Sequence, residues 1–88
     1  MSLELGTLLK EHRLKAGMTQ QDLANKFGYS TAQFISNWER GISQPPMETL
    51  VQLSVLLKIP KATIKELLIK NAIQQIEKKI EIGFKRSV

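Results

Sequence analysis

The stretch Gly17-Met-Thr-Gln-Gln-Asp-Leu-Ala-Asn-Lys-Phe-Gly28-Tyr-Ser-Thr-Ala-Gln-Phe-Ile-Ser-Asn-Trp-Glu-Arg-Gly41 decides the fold. It reads as two short helices around one tight turn. Thr19 can cap the free backbone N–H groups of the first helix, which carries Leu23, Ala24 and Phe27 on one face. Gly28 stands just past the last apolar position, where a left-handed backbone closes a helix without a Cβ penalty. Ser30 or Thr31 is expected to cap the second helix. That helix turns Ile35 and Trp38, three apart, toward the core and sends Gln33, Ser36 and Asn37 elsewhere. Gly41 stops it.

The arrangement strongly resembles the helix-turn-helix domain of phage repressor and Cro proteins, the Xre type. The resemblance is carried by Arg13, Gly17, Thr19-Gln20, Leu23-Ala24, Gly28, Ile35-Ser36, Glu39-Arg40-Gly41, Pro45, Leu50, Leu53 and Leu57, within residues 5–59. It implies an all-α fold, a compact four- to five-helix repressor-like domain over residues 1–59; the apolar spacing of residues 60–88, outside the resemblance, adds an extended C-terminal helix. The resemblance also implies that Arg13 and Glu39 form a structural pair tying the first helix to the recognition helix. Gln20 matches the family's phosphate-binding glutamine, unless it merely decorates an exposed helix start. Gln21 beside it is a second uncharged amide at the positive end of a helix. Family loops after the recognition helix bind phosphate, and here Arg40, Ser43 and Gln44 can do so, with a plain solvated loop as the alternative.

One departure bears on register: the stretch from Gly28 to Glu39 is one residue longer than the family pattern. Counting back from Ile35, Trp38 and Glu39, which must face inward, gives Ala32, Gln33, Ser36 and Asn37 as the base-reading face. Counting forward from Gly28 brings in Thr31. Burial fixes helix rotation more firmly than turn length does, so the backward count is preferred. An α-helix fits the DNA major groove, and amide side chains can donate and accept bidentately at the edge of adenine. Serine can bond several bases, and alanine can touch a thymine methyl. Phe34 is a core residue, an apolar wedge against thymine methyls or a packing partner for Tyr29, with core the blandest of the three.

Working outward, residues 2 to 15 read as the first helix, with Ser2 as cap and Leu5 and Leu9 facing the core. His12 stands where family sequences carry an apolar residue, and is expected to be half buried. Asp22 and Lys26, four apart, are spaced as a helix-supporting ion pair. The prolines of Ile42-Ser43-Gln44-Pro45-Pro46 hold off the next helix, Met47 to Leu57, whose Leu50, Leu53, Leu56 and Leu57 close the core. Lys58-Ile59-Pro60 breaks it. From Ala62 to Ile82 runs a long helical pattern in which Ile64, Leu67 and Leu68 can return to the core. Beyond them Ile69, Ile73, Ile76 and Ile80 repeat at heptad spacing. That stripe either pairs two copies as a homodimer or folds back over Leu3 and Leu8 of the first helix. Gly83 to Val88 reads as a frayed basic end.

Eighty-eight residues allow one modest core. The net charge of +5 is lopsided. Up to Leu57, Lys10, Arg13, Lys15, Lys26 and Arg40 balance Glu4, Glu11, Asp22, Glu39 and Glu48, so the whole excess lies downstream. A basic tail of this kind is either a solvated helix face or a sequence-blind attraction for phosphate.

With no cysteine and one histidine, the chain has little to build a nucleophile, a metal cluster or a redox centre from. Neither a phosphate-cradling glycine loop nor a signal or membrane segment is seen. The expectation is therefore a cytoplasmic, non-catalytic protein without cofactor or metal, not bound to membrane, that binds double-stranded DNA and acts as a small transcriptional repressor. Two other readings remain: an antitoxin that also captures a toxin as its protein partner, and an interaction adaptor that keeps the fold without binding DNA.

Overall fold

Five helices follow in chain order in the computed structural model, which describes residues 3–86: α1 Leu3–Lys15, α2 Gln20–Lys26, α3 Gln33–Glu39, α4 Met47–Leu56 and α5 Lys61–Arg86. No strand occurs among the described residues. The expected Ser2 cap lies outside them.

Each of the first four helices ends in the same way. The residue after the C-cap takes a left-handed backbone, with φ of 70° at Gly17, 74° at Gly28, 72° at Gly41 and 56° at Lys58. One residue further on, an N–H reaches back five positions to a carbonyl of the last turn: Met18 to Arg13, Tyr29 to Ala24, Ile42 to Asn37 and Ile59 to Ser54. These are Schellman closures, and three of the four use the residue that pays no Cβ penalty for them. The fourth places a lysine there. The glycine stops predicted at Gly28 and Gly41 are therefore real, and the break at Lys58-Ile59-Pro60 is a strained version of the same device.

At the start of α2, Thr19 caps as expected, and its cap is reciprocal. The Thr19 hydroxyl accepts from the Asp22 N–H at 3.0 Å, while the Asp22 carboxylate accepts from the Thr19 N–H at 2.9 Å. These bonds, the backbone one foremost, hold the Asp22 carboxyl below its ordinary range. Asp22 is thus a cap rather than the expected partner of Lys26.

The core gathers Leu5 and Leu9 of α1, Leu23 and Ala24 of α2, Ile35 and Trp38 of α3, and Leu50 and Leu53 of α4, with Leu57, Ile59 and Ile64 closing it. Leu56, expected in this set, is exposed instead. At 3.6 residues per turn Leu50, Leu53 and Leu57 share a stripe, whereas Leu56 is turned about 100° from Leu57. Ile59, carried inward by the closure after α4, is buried with them. His12 is half-buried, as expected.

Helices α1 and α3 are locked together by a buried ion pair. The Arg13 guanidinium donates to the Glu39 carboxylate through Nε at 2.6 Å and Nη2 at 3.0 Å, and Nη1 donates to the Met18 carbonyl at 2.8 Å. Nearby, Gly6 lets α1 come against the end of α3. A Cβ on Gly6 would run into the Glu39 carbonyl oxygen and stand 2.6 Å from that of Trp38. Nothing in the spacing of apolar residues signals this contact.

Helix α5 begins inside the core and leaves it. Ile64 is buried, and Leu67 and Leu68 are packed against the cluster. Lys70 then reaches Glu4 of α1, Nζ to Oε1 3.1 Å, in an exposed ion pair. Beyond that point the helix projects, and it runs through Arg86, so the segment from Gly83 expected to fray is helical as far as it is described. The Cα radius of gyration, 15.2 Å, exceeds the roughly 12 Å of a compact chain of this length. Leu8 is half-buried against the core, but Leu3 and the isoleucine stripe stay exposed, so α5 does not fold back over α1 to cover the stripe.

Three substitutions test this packing by urea unfolding. Gly6→Ala should lower stability by about 1–3 kcal/mol, because backbone rather than a flexible side chain must give way. Arg13→Ala, which strands a buried carboxylate, should lower it by about 3–5 kcal/mol. Lys58→Gly should raise it by about 1 kcal/mol through relief of the left-handed backbone.

Candidate nucleic-acid interface

The residue-by-residue placement of α3 settles the register. Its first helical residue is Gln33, and residues 28–32 form the turn, so the extra residue is absorbed there. Neither Ser30 nor Thr31 holds the cap position, which falls on Ala32 without a side-chain bond. The longer turn moves the helix start past both hydroxyls. Thr31 still contributes, its Oγ1 accepting from the Gln33 N–H at 3.4 Å.

Ile35, Trp38 and Glu39 are buried, which is the rotation the backward count requires. Gln33, Ser36, Asn37 and Arg40 therefore share the opposite face, at the first, fourth, fifth and eighth positions of two turns. Gln33 and Arg40 are exposed, Ser36, Asn37 and Ala32 half-buried, and Thr31 exposed beside the helix start.

Hydrogen bonds run along this face. Asn37 Oδ1 accepts from Gln33 Nε2 at 2.8 Å and from Arg40 Nη2 at 3.1 Å. Both acceptor positions of the Asn37 amide are thus occupied, so its two N–H donors are what this side chain can offer a ligand. Gln33 keeps a free carbonyl oxygen and a second N–H, so it alone of the two amides retains the donor-acceptor pair suited to adenine. Asn37, held in this network, is suited to acceptors such as guanine N7 and O6 or a phosphate oxygen. Arg40, expected on phosphate, is drawn into the same network.

Phe34 is not core. It is 53% exposed and stacks on Tyr29, ring centroids 4.9 Å apart, with Trp38 6.3 Å away. Tyr29 in turn meets Phe27 at 6.1 Å and Trp38 at 6.0 Å. The four rings brace the turn against α3 and flank its exposed face.

Of the residues expected at phosphates, Gln20 on one side and the loop carrying Ser43 and Gln44 on the other are tied to α3. Gln20, at the start of α2, is half-buried and donates through Nε2 to Glu39 Oε1 at 3.0 Å, joining the ion pair. Its second amide N–H is left over for an anion. Gln21 is exposed and bonded to Asn25 at 2.9 Å. After α3, the backbone N–H groups of Ile42 and Ser43 both donate to the Asn37 carbonyl, at 2.9 and 3.4 Å, which anchors the loop carrying Ser43 and Gln44. Sequence reasoning missed the Gln20–Glu39 bond. The resemblance assigns Gln20 to phosphate and gives no sign that its amide holds Glu39.

Among the described residues, no cluster of three or more His, Asp or Glu side chains is placed to hold a metal ion. Nor is any helix of theirs long and apolar enough to cross a membrane.

Comparison with known proteins agrees with this geometry. A family model described as helix-turn-helix matches residues 9–64. The HTH-type transcriptional regulator ImmR of Bacillus subtilis (strain 168) is 40% identical over 57 residues, which are 65% of this chain and 44% of that protein. The chain therefore spans less than half the length of that relative. No solved structure matches the chain. Since the matched segment runs from the middle of α1 into α5, more than half of its residues, the chain belongs to the helix-turn-helix family, of the Xre type.

Proposed function

We propose that the chain is a transcription regulator that reads duplex DNA with α3, binds as a homodimer through Ile69, Ile73, Ile76 and Ile80, and represses by occluding a promoter. The observation that carries the reading is the division of α3 into two faces. Ile35, Trp38 and Glu39 are buried, while Gln33, Ser36, Asn37 and Arg40 form one hydrogen-bonding surface. Such a helix, presented at the level of the major groove, offers donors and acceptors to base edges without moving its core side. Thr31 and Ala32 extend the surface at the N-terminal end. Gln20, Gln21, Ser43 and Gln44 supply neutral donors on either flank, where phosphates run past a helix lodged in the groove.

The dimer rests on the isoleucine stripe, whose members are 50%, 50%, 56% and 52% exposed along one face of α5. A heptad stripe of this length is buried in stable assemblies by a second helix. Two heads would then read two half-sites about one helical turn apart. The relative named as an HTH-type transcriptional regulator and the family match favour the DNA-binding part of this reading.

Selection from a random duplex library at moderate salt tests it. The expected product is an enriched inverted repeat. Gln33→Ala and Asn37→Ala should each weaken binding to it by about 1–3 kcal/mol and relax preference at a base pair of each half-site. Enrichment of no sequence, with binding that vanishes steeply as salt rises, would mean that only the lysines of α5 meet DNA.

A further inference from the structure

The isoleucine stripe is symmetric about its own middle. Its spacings of four, three and four residues read the same in both directions, with the midpoint between Gln74 and Gln75. Both a parallel and an antiparallel pair of α5 helices would therefore bury all four isoleucines, and apolar burial does not choose between them. The charges beside the stripe do.

We propose that two copies pair α5 antiparallel, with Ile69 opposite the partner's Ile80 and Ile73 opposite the partner's Ile76. The proposal rests on the homodimer inferred above and fixes its geometry. Lys70 and Glu77 lie seven residues apart on the same flank of the stripe, where they line one shallow groove with Glu66, Ile69, Ile73 and Gln74. In antiparallel helices like flanks face each other, so in this register Lys70 meets the partner's Glu77 and Glu77 meets the partner's Lys70. Two reciprocal ion pairs then border the central layers. On the other flank Ala72 meets the partner's Lys79, and two like-charge approaches, Lys65 with the partner's Arg86 and Arg86 with the partner's Lys65, fall at the two ends of the pairing, away from the central layers. A parallel pair joins unlike flanks instead. It would bring Lys65 against the partner's Lys70, twice, and leave Glu77 facing an alanine, with no attraction to offset the repulsion. The bond from Lys70 to Glu4 is exposed and does not hold Lys70 away from a second carboxylate.

The orientation has a consequence for the heads. The antiparallel register separates the two Lys61 ends by 27 residues of helical rise, about 40 Å. That is the scale of one turn of DNA, about 34–36 Å. Parallel pairing would set them about 10 Å apart, side by side.

The chain has no cysteine, so single cysteines report orientation cleanly. Ile69→Cys and Ile80→Cys, both at exposed positions, would be oxidised separately and as an equimolar mixture, with the mass followed by light scattering. In the proposed dimer each variant alone holds its two sulfurs about 16 Å apart, too far to bridge, whereas the mixture places one against the other. A disulfide dimer formed only in the mixture is the expected result. Disulfides in each variant alone would show a parallel pair and overturn the proposal while leaving the dimer. A dimeric mass with no disulfide in any sample would overturn the register, and a monomeric mass for the unsubstituted chain would remove the dimer itself. Lys70→Glu supplies an independent reading that leaves the isoleucines intact. It should weaken the antiparallel dimer about tenfold, and adding Glu77→Lys should restore it, whereas a parallel dimer would tighten on Lys70→Glu alone.

Discussion

The bidentate ion pair between Arg13 and Glu39 sets the position of almost everything else in the head. Arg13 closes α1 and simultaneously holds the Met18 carbonyl at the start of the next turn, while Glu39 closes α3 and receives Gln20 from α2. Three helices thus share one carboxylate and one guanidinium. Both charges are buried, and a buried pair is weak as net stabilisation because desolvation offsets much of the attraction. Its value here is geometric. The planar fork accepts one orientation of Glu39, and Glu39 in turn fixes the rotation of the short helix that carries the exposed amides. Gly6 completes the constraint by letting the α1 backbone reach the end of α3 without a side chain between them.

A helix held this firmly can present polar groups in a set arrangement. Up to Leu57 the charges balance, so in the proposed reading attraction to phosphate there rests on placed hydrogen bonds rather than on net field. The chain of bonds from Gln33 through Asn37 to Arg40 settles which groups are spent and which remain. In the proposed reading this gives the two amides different tasks, Gln33 keeping an acceptor and Asn37 offering donors. The positive charge is segregated on α5 and its approach, outside the surface that would discriminate between sequences.

The sequence made the elements legible because helix ends and apolar faces have local causes. Gly28 and Gly41 stop their helices, Thr19 caps, and Ile35, Trp38, Leu50, Leu53 and Ile64 are buried as their spacing predicts. The exposed face of α3 followed from the same logic, since the buried residues leave one rotation. What escaped was set by contacts between elements. Gly6 matters through the backbone of Trp38 and Glu39, far along the chain, and a lysine sits at the left-handed position after α4 where a glycine would have announced itself. Phe34 is large and apolar, yet the braced turn offers it a ring to stack on at the surface rather than a place in the core. The helical pattern groups Leu56 with Leu50, Leu53 and Leu57, yet its angle on α4 turns it away from them and it is exposed. Asp22 was matched to Lys26 by spacing, while the nearer Thr19 N–H claimed it.

In the proposed reading duplex DNA meets the exposed face of α3 and its two flanks, not the lysines of α5. Titration of the isotopically labelled chain with its selected duplex, followed by two-dimensional NMR of backbone and side-chain amides, tests this most directly. The largest shifts are expected at the side-chain amides of Gln33 and Asn37 and at the backbone of Gln20, Gln21, Arg40, Ser43 and Gln44, with Leu23, Leu53 and the core hardly moved. Shifts confined to α5, spread over Lys78, Lys79, Lys85 and Arg86 with the Gln33 and Asn37 amides unchanged, would contradict it.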